Sequence, residues 1–183
     1  SLVGSEMCIR DRFETIVSLI DFCFEKKVKI LVNPAPAQNL PKKLLKKIWM
    51  ITPNETELEL LTKIRITDEE SALKAAKNLL NQGVDHCIVT LGDKGSIWVS
   101  SSEAYRFEVP KVNSKDSTAA GDIFNGYLAY SITSGLSFDK AIKLSHAAAT
   151  ISVTKKGAQT SIPKIKEVKQ FLKEHEIIQQ STV

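Results

Sequence analysis

Two periods of apolar residues alternate along this chain. From Phe13 to Lys26, Ile16, Val17, Leu19, Ile20, Cys23 and Phe24 recur at helical spacing. Lys29-Ile30-Leu31-Val32 reads as a short buried strand, stopped by the two prolines of Asn33-Pro34-Ala35-Pro36. Pro41 suits the first turn of a brief helix through Lys47. Ile48-Trp49-Met50-Ile51 is a second strand, ended by Thr52-Pro53. Asn54-Glu55-Thr56-Glu57 opens a helix to about Leu61, and Thr67-Asp68-Glu69-Glu70, a capping box by spacing, opens another that ends near Gly83. His86 to Thr90 is a third strand. Ser96–Ser100 and Tyr105–Val109 return as two more after the Gly92-Asp93-Lys94-Gly95 turn. Three helices complete the pattern: one from the Asp116–Asp122 turn to Thr133, closed by Gly135, one from Ser137 through Ser152, and one from Pro163 to about His175.

Strands that alternate with helices predict an α/β layered fold with a mostly parallel sheet. Ligands of such sheets sit at the carboxyl ends of the strands. Every chemically suggestive loop here follows a strand: Asn33–Ala37, Thr52–Glu57, Leu91–Gly95 and Asn113–Asp122. Residues 1–12 show no period of either kind. They are expected to be a non-native leader or a disordered terminus, with the domain at 13–183.

Composition narrows the class further. The chain has 183 residues, 43% hydrophobic and 25% charged, enough apolar mass for a core. No apolar run approaches a membrane span, so no membrane partner is expected. The net charge of +4 is mild. Lys42, Lys43, Lys46 and Lys47 flank two leucines like the wet face of a short helix, and no aromatics interleave to stack bases, so a nucleic-acid partner is not expected. Three cysteines at irregular spacing make no disulfide framework, and Cys23 and Cys87, in apolar runs, fit buried thiols in a reducing, cytoplasmic compartment.

The candidate chemistry centres on Asp116-Ser117-Thr118-Ala119-Ala120-Gly121-Asp122. Small residues entering a helix leave its first amides open, and with the positive end of the dipole they form an anion site. A carboxylate there suits a base that deprotonates an attacking hydroxyl while the amides hold a phosphoryl group. Asp122 could equally be a helix carboxylate contributing ~0.3–1 kcal/mol through the dipole. Thr90-Leu91-Gly92-Asp93-Lys94-Gly95 could let backbone approach a nucleotide, or be a plain hairpin turn. Neither G-x-x-x-x-G-K-[ST] nor G-x-G-x-x-G occurs. Asn54 and Glu57, one turn apart, could organise Mg²⁺ or cap their helix, and the two roles are compatible. His146 lies in an apolar run, where a core role competes with a ligand role.

In this order, Asn54-x-x-Glu57, Thr90-Leu91-Gly92-x-x-Gly95 and Asp116-x-Thr118-Ala119-Ala120-Gly121-Asp122 resemble the carbohydrate kinases of the ribokinase (PfkB) family. The last segment resembles that family's carboxy-terminal signature, with Ser117 where Thr is common. Asn33-Pro34-Ala35-Pro36-Ala37, Ser145–Ala149 and Lys156-Gly157-Ala158-Gln159 add to the likeness, which runs from Phe13 to Leu172. The resemblance implies a ribokinase-like fold that lacks its amino-terminal half. That half would carry a Gly-Gly sugar-binding segment and a lid through which the parent enzyme is a homodimer. It implies ATP-dependent phosphorylation of the primary hydroxyl of D-ribose, with Asp122 as base and the amides of Ala119, Ala120 and Gly121 as anion hole. ATP would meet Asn54, Thr90 to Gly95, Gly121, Asp122 and His146. Glu57 would hold Mg²⁺ through water, and Asp116, Thr118, Ser152, Lys155, Gly157 and Ser161 would serve K⁺. Other sugar or nucleoside kinases of the family, and a non-catalytic nucleotide-binding module, remain as alternatives. The isolated chain is expected to be inactive.

Overall fold

The computed structural model describes residues 5–8, 13–35 and 39–182. Pro36 and Ala37 of the first expected loop, and residues 1–4 and 9–12 of the expected leader, lie outside the described residues. The chain divides into two compact units. One contains residues 1–92, 96–106 and 181–183, and the other residues 93–95 and 107–180.

The first unit follows the alternation in the sequence. Its elements are β1 (Ser5–Cys8), α1 (Phe13–Glu25), β2 (Ile30–Asn33), α2 (Lys42–Leu45), β3 (Met50–Ile51), α3 (Glu55–Thr62), α4 (Glu69–Asn81), β4 (His86–Thr90), β5 (Ser96–Val99) and β6 (Ala104–Glu108), the last running into the second unit. The strands lie in sequence order, and the sheet ends with β7 (Ile178–Ser181). Helical crossovers make β2, β3 and β4 parallel, with Val32 opposite Ile51 and Ile51 opposite Cys87. The tight turn after β4 makes β5 antiparallel, with Ile88 opposite Trp98. Because the middle strands are covered on both faces, they read as unbroken apolar runs: all four residues of β2 and of β5 are buried. Ile16 and Ile20 of α1, Leu44 of α2, Leu58 of α3 and Ala72, Ala75, Ala76 and Leu79 of α4 complete this core.

Three details depart from the sequence reading. Ser5–Cys8 pairs in parallel with β2 although no period marks it, because backbone groups alone can extend an edge. The cap of α4 is Asp68, not Thr67. Asp68 Oδ1 accepts the Ser71 N–H at 2.8 Å, so Ser71 takes the place expected of Glu70. A carboxylate is a better cap acceptor than a threonine hydroxyl. β7 was not foreseen. It is mostly exposed, and just beyond it the Thr182 N–H donates to the Ala104 carbonyl at 3.0 Å.

The second unit is helical: α5 (Ala120–Thr133), α6 (Phe138–Val153) and α7 (Ile165–Glu174). α5 packs on α6, with Ile123, Phe124 and Leu128 of α5 and Ala141, Ile142, Ala147 and Ala148 of α6 all buried, and Val168 of α7 is fully buried. Ser137 stands at the N-cap of α6 in extended conformation, but its hydroxyl makes no cap bond.

Candidate active site

In the first unit, α3 begins at the carboxyl end of β3. The capping box expected there is formed: Asn54 Oδ1 accepts the Glu57 N–H at 2.9 Å, and Glu57 Oε2 accepts the Asn54 N–H at 2.8 Å. Burial raises the Glu57 carboxyl above its ordinary value, partly offset by that bond from Asn54. Asn54 forms a parallel bridge with Thr90, and the Thr90 N–H donates to the Pro53 carbonyl at 2.9 Å. Asn54, Glu57 and the start of the Thr90–Gly92 turn are thus neighbours.

The turn itself needs its glycines for two different reasons. Gly92 has φ +59, and Gly95 has φ +94. A Cβ at Gly92 would meet nothing within 4 Å, whereas one at Gly95 would fall 1.9 Å from the Phe107 carbonyl oxygen. Gly92 serves backbone conformation alone, and Gly95 also serves a close approach. Gly92, Asp93 and Lys94 are exposed.

In the second unit, the segment before α5 has an unusual backbone. Ala119 caps the helix at φ 63, ψ 10, a left-handed conformation that L-residues avoid, with no side-chain cap. The Ala120 N–H donates to the Ser117 carbonyl at 3.2 Å, so one of the three amides expected in the anion hole is engaged. Gly121 and Asp122, both exposed, keep their amides free of acceptors among the described residues, at the positive end of the helix. Asp122 does not point into the core. With Ala119 it lines a cavity of about 670 Å³, walled by Ile123, Tyr127 and Tyr130 of α5 and by Gln159, Ile162 and Ile165 beyond α6. The sequence reading missed this cavity, since its far wall comes from residues more than thirty positions along. Tyr127 Oη donates to the Pro163 carbonyl at 2.6 Å and ties the two walls together.

Asp116 joins the turn to the loop after α6. Its Oδ1 accepts the Thr118 N–H at 2.9 Å, and its Oδ2 accepts the Gly157 N–H at 2.9 Å. Bonding to Thr118 and Gly157 holds this carboxyl at about 2, below its ordinary 3.8. The Lys115 and Asp116 N–H groups both donate to the Val153 carbonyl, at 2.7 and 3.2 Å. Lys155 pairs with Glu167 of α7 at 3.0 Å. The Ser152 hydroxyl donates to Ala149 and the Ser161 hydroxyl to Ala158, each back onto its own segment. Asp116, Thr118 and Gly157 therefore meet, while the Ser152 and Lys155 side chains turn to partners of their own. His146 is buried, with its ring 4.9 Å edge-on from Phe124 and 6.5 Å from Phe107, the surroundings of a core residue. Among the described residues no three His, Cys, Asp or Glu side chains cluster as metal ligands, and no helix is long and apolar enough to cross a membrane.

A mixed α/β sheet with a capped loop at the end of β3, and a helix whose first turn offers amides free among the described residues beside an exposed carboxylate, are features of α/β proteins that bind anions. The particular family follows from comparison. The description "pfkB family carbohydrate kinase" matches residues 8–165, and the chain belongs to that family. It is 44% identical to a ribokinase of Haemophilus influenzae over 93% of its own length and 57% of that protein's. It is 33% identical to a deoxyribokinase of Salmonella typhi, covering 88% of itself and 53% of that protein. The structure of Arabidopsis thaliana ribokinase complexed with ribose and ATP superposes with a TM-score of 0.88 at 27% identity, over 93% of this chain and 55% of that one. The chain thus spans about half the length of the relatives it matches.

Proposed function

We propose that the chain is the nucleotide-binding and catalytic part of an ATP-dependent sugar kinase that converts D-ribose to ribose 5-phosphate. The observation that carries this reading is Asp122: an exposed carboxylate in the first turn of α5, beside the free amides of Gly121 and Asp122 and the left-handed Ala119. In the proposed step the Asp122 carboxylate takes the proton of the sugar's primary hydroxyl. The oxygen then forms a bond to the γ-phosphorus as the bond to the β-phosphate oxygen breaks and ADP leaves. The free amides hold the charge on the transferring group, so the work is positioning and electrostatic stabilisation.

Asn54, Thr90 to Gly95 and His146 are assigned to the nucleotide. Glu57 is assigned to Mg²⁺ through water. Its Oε1 takes no protein donor among the described residues, which fits that role. Mg²⁺ would neutralise phosphate charge when bound. Asp116, Thr118, Ser152, Lys155, Gly157 and Ser161 are assigned to a monovalent cation such as K⁺. Each Asp116 oxygen accepts one N–H, and Lys155 can contribute only its carbonyl because its side chain is itself cationic. The whole enzyme would be a cytoplasmic homodimer, without nucleic-acid or membrane partners. The deoxyribokinase relative favours one second reading, phosphorylation of deoxyribose at the same hydroxyl.

The test uses the intact parent enzyme. Asp122→Asn should lower kcat by about 10²–10⁴-fold while ATP still binds, and ADP release by the wild type should depend on ribose. Normal turnover by that variant overturns the base assignment. Release with deoxyribose but not ribose selects the second reading. ATP binding with no sugar-dependent release makes the protein a nucleotide-binding module.

A further inference from the structure

The loop between α6 and α7 is held at two points by α5 and the turn before it. At one, the Gly157 N–H donates to Asp116 Oδ2 at 2.9 Å. At the other, Tyr127 Oη donates to the Pro163 carbonyl at 2.6 Å. Between these points the loop is bonded to itself. The Thr160 hydroxyl donates to the Lys156 carbonyl and the Ser161 hydroxyl to the Ala158 carbonyl, and a Cβ at Gly157 would fall 2.6 Å from Thr160 Oγ1. A stretch folded in this way moves as one piece, so what holds one end is felt at the other. Tyr127 also answers a need of the backbone. The ladder of α7 starts at Lys164, whose carbonyl takes the Glu167 and Val168 N–H groups, and the buried Pro163 stands just outside it. The phenol supplies the donor that the Pro163 carbonyl would otherwise lack. The Lys155–Glu167 pair spans the same loop, but both side chains reach solvent, and such pairs hold little.

We propose that Tyr127 is a positioning residue for the Asp122 site. Its hydroxyl anchors the 157–163 loop, and the anchored loop keeps the Gly157 N–H on Asp116. Asp116 in turn accepts the Thr118 N–H and sets the turn from which the Gly121 and Asp122 amides emerge. The proposal rests on the reading of that site as the place of phosphoryl transfer. Tyr127 acts there through hydrogen bonds and the loop, not by contact with the reacting atoms. Without the phenolic O–H, the loop depends on a carboxylate and a glycine that are each only half-buried, where water competes for the same bond. The turn then loses definition, and phosphoryl transfer is sensitive to displacements of about an ångström.

The test compares two variants of the intact parent enzyme. Tyr127→Phe removes the hydroxyl and keeps the ring. Thr133→Ala removes another hydroxyl bond of α5, the one to the Ala129 carbonyl, away from the loop. Amide hydrogen exchange at residues 157–162 should rise about 2–10-fold in Tyr127→Phe and stay unchanged in Thr133→Ala. In Tyr127→Phe kcat should fall about 3–10-fold with the KM for ATP within about twofold, the split expected when an arrangement made for the transition state is lost. Unchanged exchange overturns the proposal. So does an equal rise in Thr133→Ala, which would mean a general loosening of α5. Raised exchange with unchanged kcat overturns it as well and leaves Tyr127 a structural anchor. A raised KM for ATP at constant kcat overturns it by making Tyr127 a substrate contact. Raised exchange confined to Tyr127→Phe, in a parent enzyme that releases no ADP with any sugar, supports the positioning of the turn and counts against the kinase reading alone.

Discussion

Asp116 Oδ2 accepts the backbone N–H of Gly157 at 2.9 Å across 41 residues of chain. The same carboxylate accepts the Thr118 N–H, so a single side chain sets the turn before α5 against the loop after α6. The free amides of the candidate site follow directly from that turn. Anything that loosens Asp116 should therefore loosen the site.

The first prediction concerns pH. Bonds from Thr118 and Gly157 lower the Asp116 carboxyl to about 2, against an ordinary 3.8. A depressed folded-state value means that the unfolded state binds the proton more readily. The stabilisation is present above about pH 4 and is lost as pH falls toward 2. Thermal melts between pH 5 and about pH 2 should show this loss in the wild type and a shallower one in Asp116→Asn. Parallel curves would show that Asp116 does not couple to folding.

Ala119 is held at φ 63, where a Cβ is unfavourable. Ala119→Gly relieves that strain but frees the unfolded chain, for a net gain of roughly 0.5–1 kcal/mol. A urea midpoint that falls instead would mean that the methyl makes a contact worth more than the strain.

The two glycines of the Thr90–Gly95 turn should respond unequally. Gly92→Ala meets open space and carries only the left-handed penalty, about 1–2 kcal/mol. Gly95→Ala adds a clash with the Phe107 carbonyl and should cost more, in all about 3 kcal/mol or above. Equal losses in denaturant unfolding would contradict the close approach.

Asn54→Ala should destabilise by about 1 kcal/mol through loss of the N-cap. Glu57→Gln keeps an acceptor for the Asn54 N–H, so stability should change by less than about 0.5 kcal/mol. In the intact enzyme the same Glu57→Gln change should raise the Mg²⁺ concentration needed for half-maximal turnover. An unshifted Mg²⁺ titration would reduce Glu57 to a capping residue.

Much of this was legible in the chain itself. The buried strands announce themselves as apolar runs, α1 by its helical period, and α3 by an amide and a carboxylate three residues apart. The small residues before Asp122 mark a helix start with open amides. These are local signals, because caps and periods depend on residues within a turn or two of one another.

The tertiary structure decided what depends on distant partners. Gly157 meets Asp116 through a backbone N–H, a group that nearly every residue carries, so no side chain advertises the bond. β1 and β7 join the sheet by the same means and show no apolar alternation. The cavity beside Asp122 exists because Ile162 and Ile165 are brought to face Ile123 and Tyr127. The local pattern thus determined the helices and the apolar strands and offered candidate residues for the site. Folding determined which amides stay free and what stands opposite them, since hydrogen bonds and apolar contacts between remote segments are settled by packing and not by pattern.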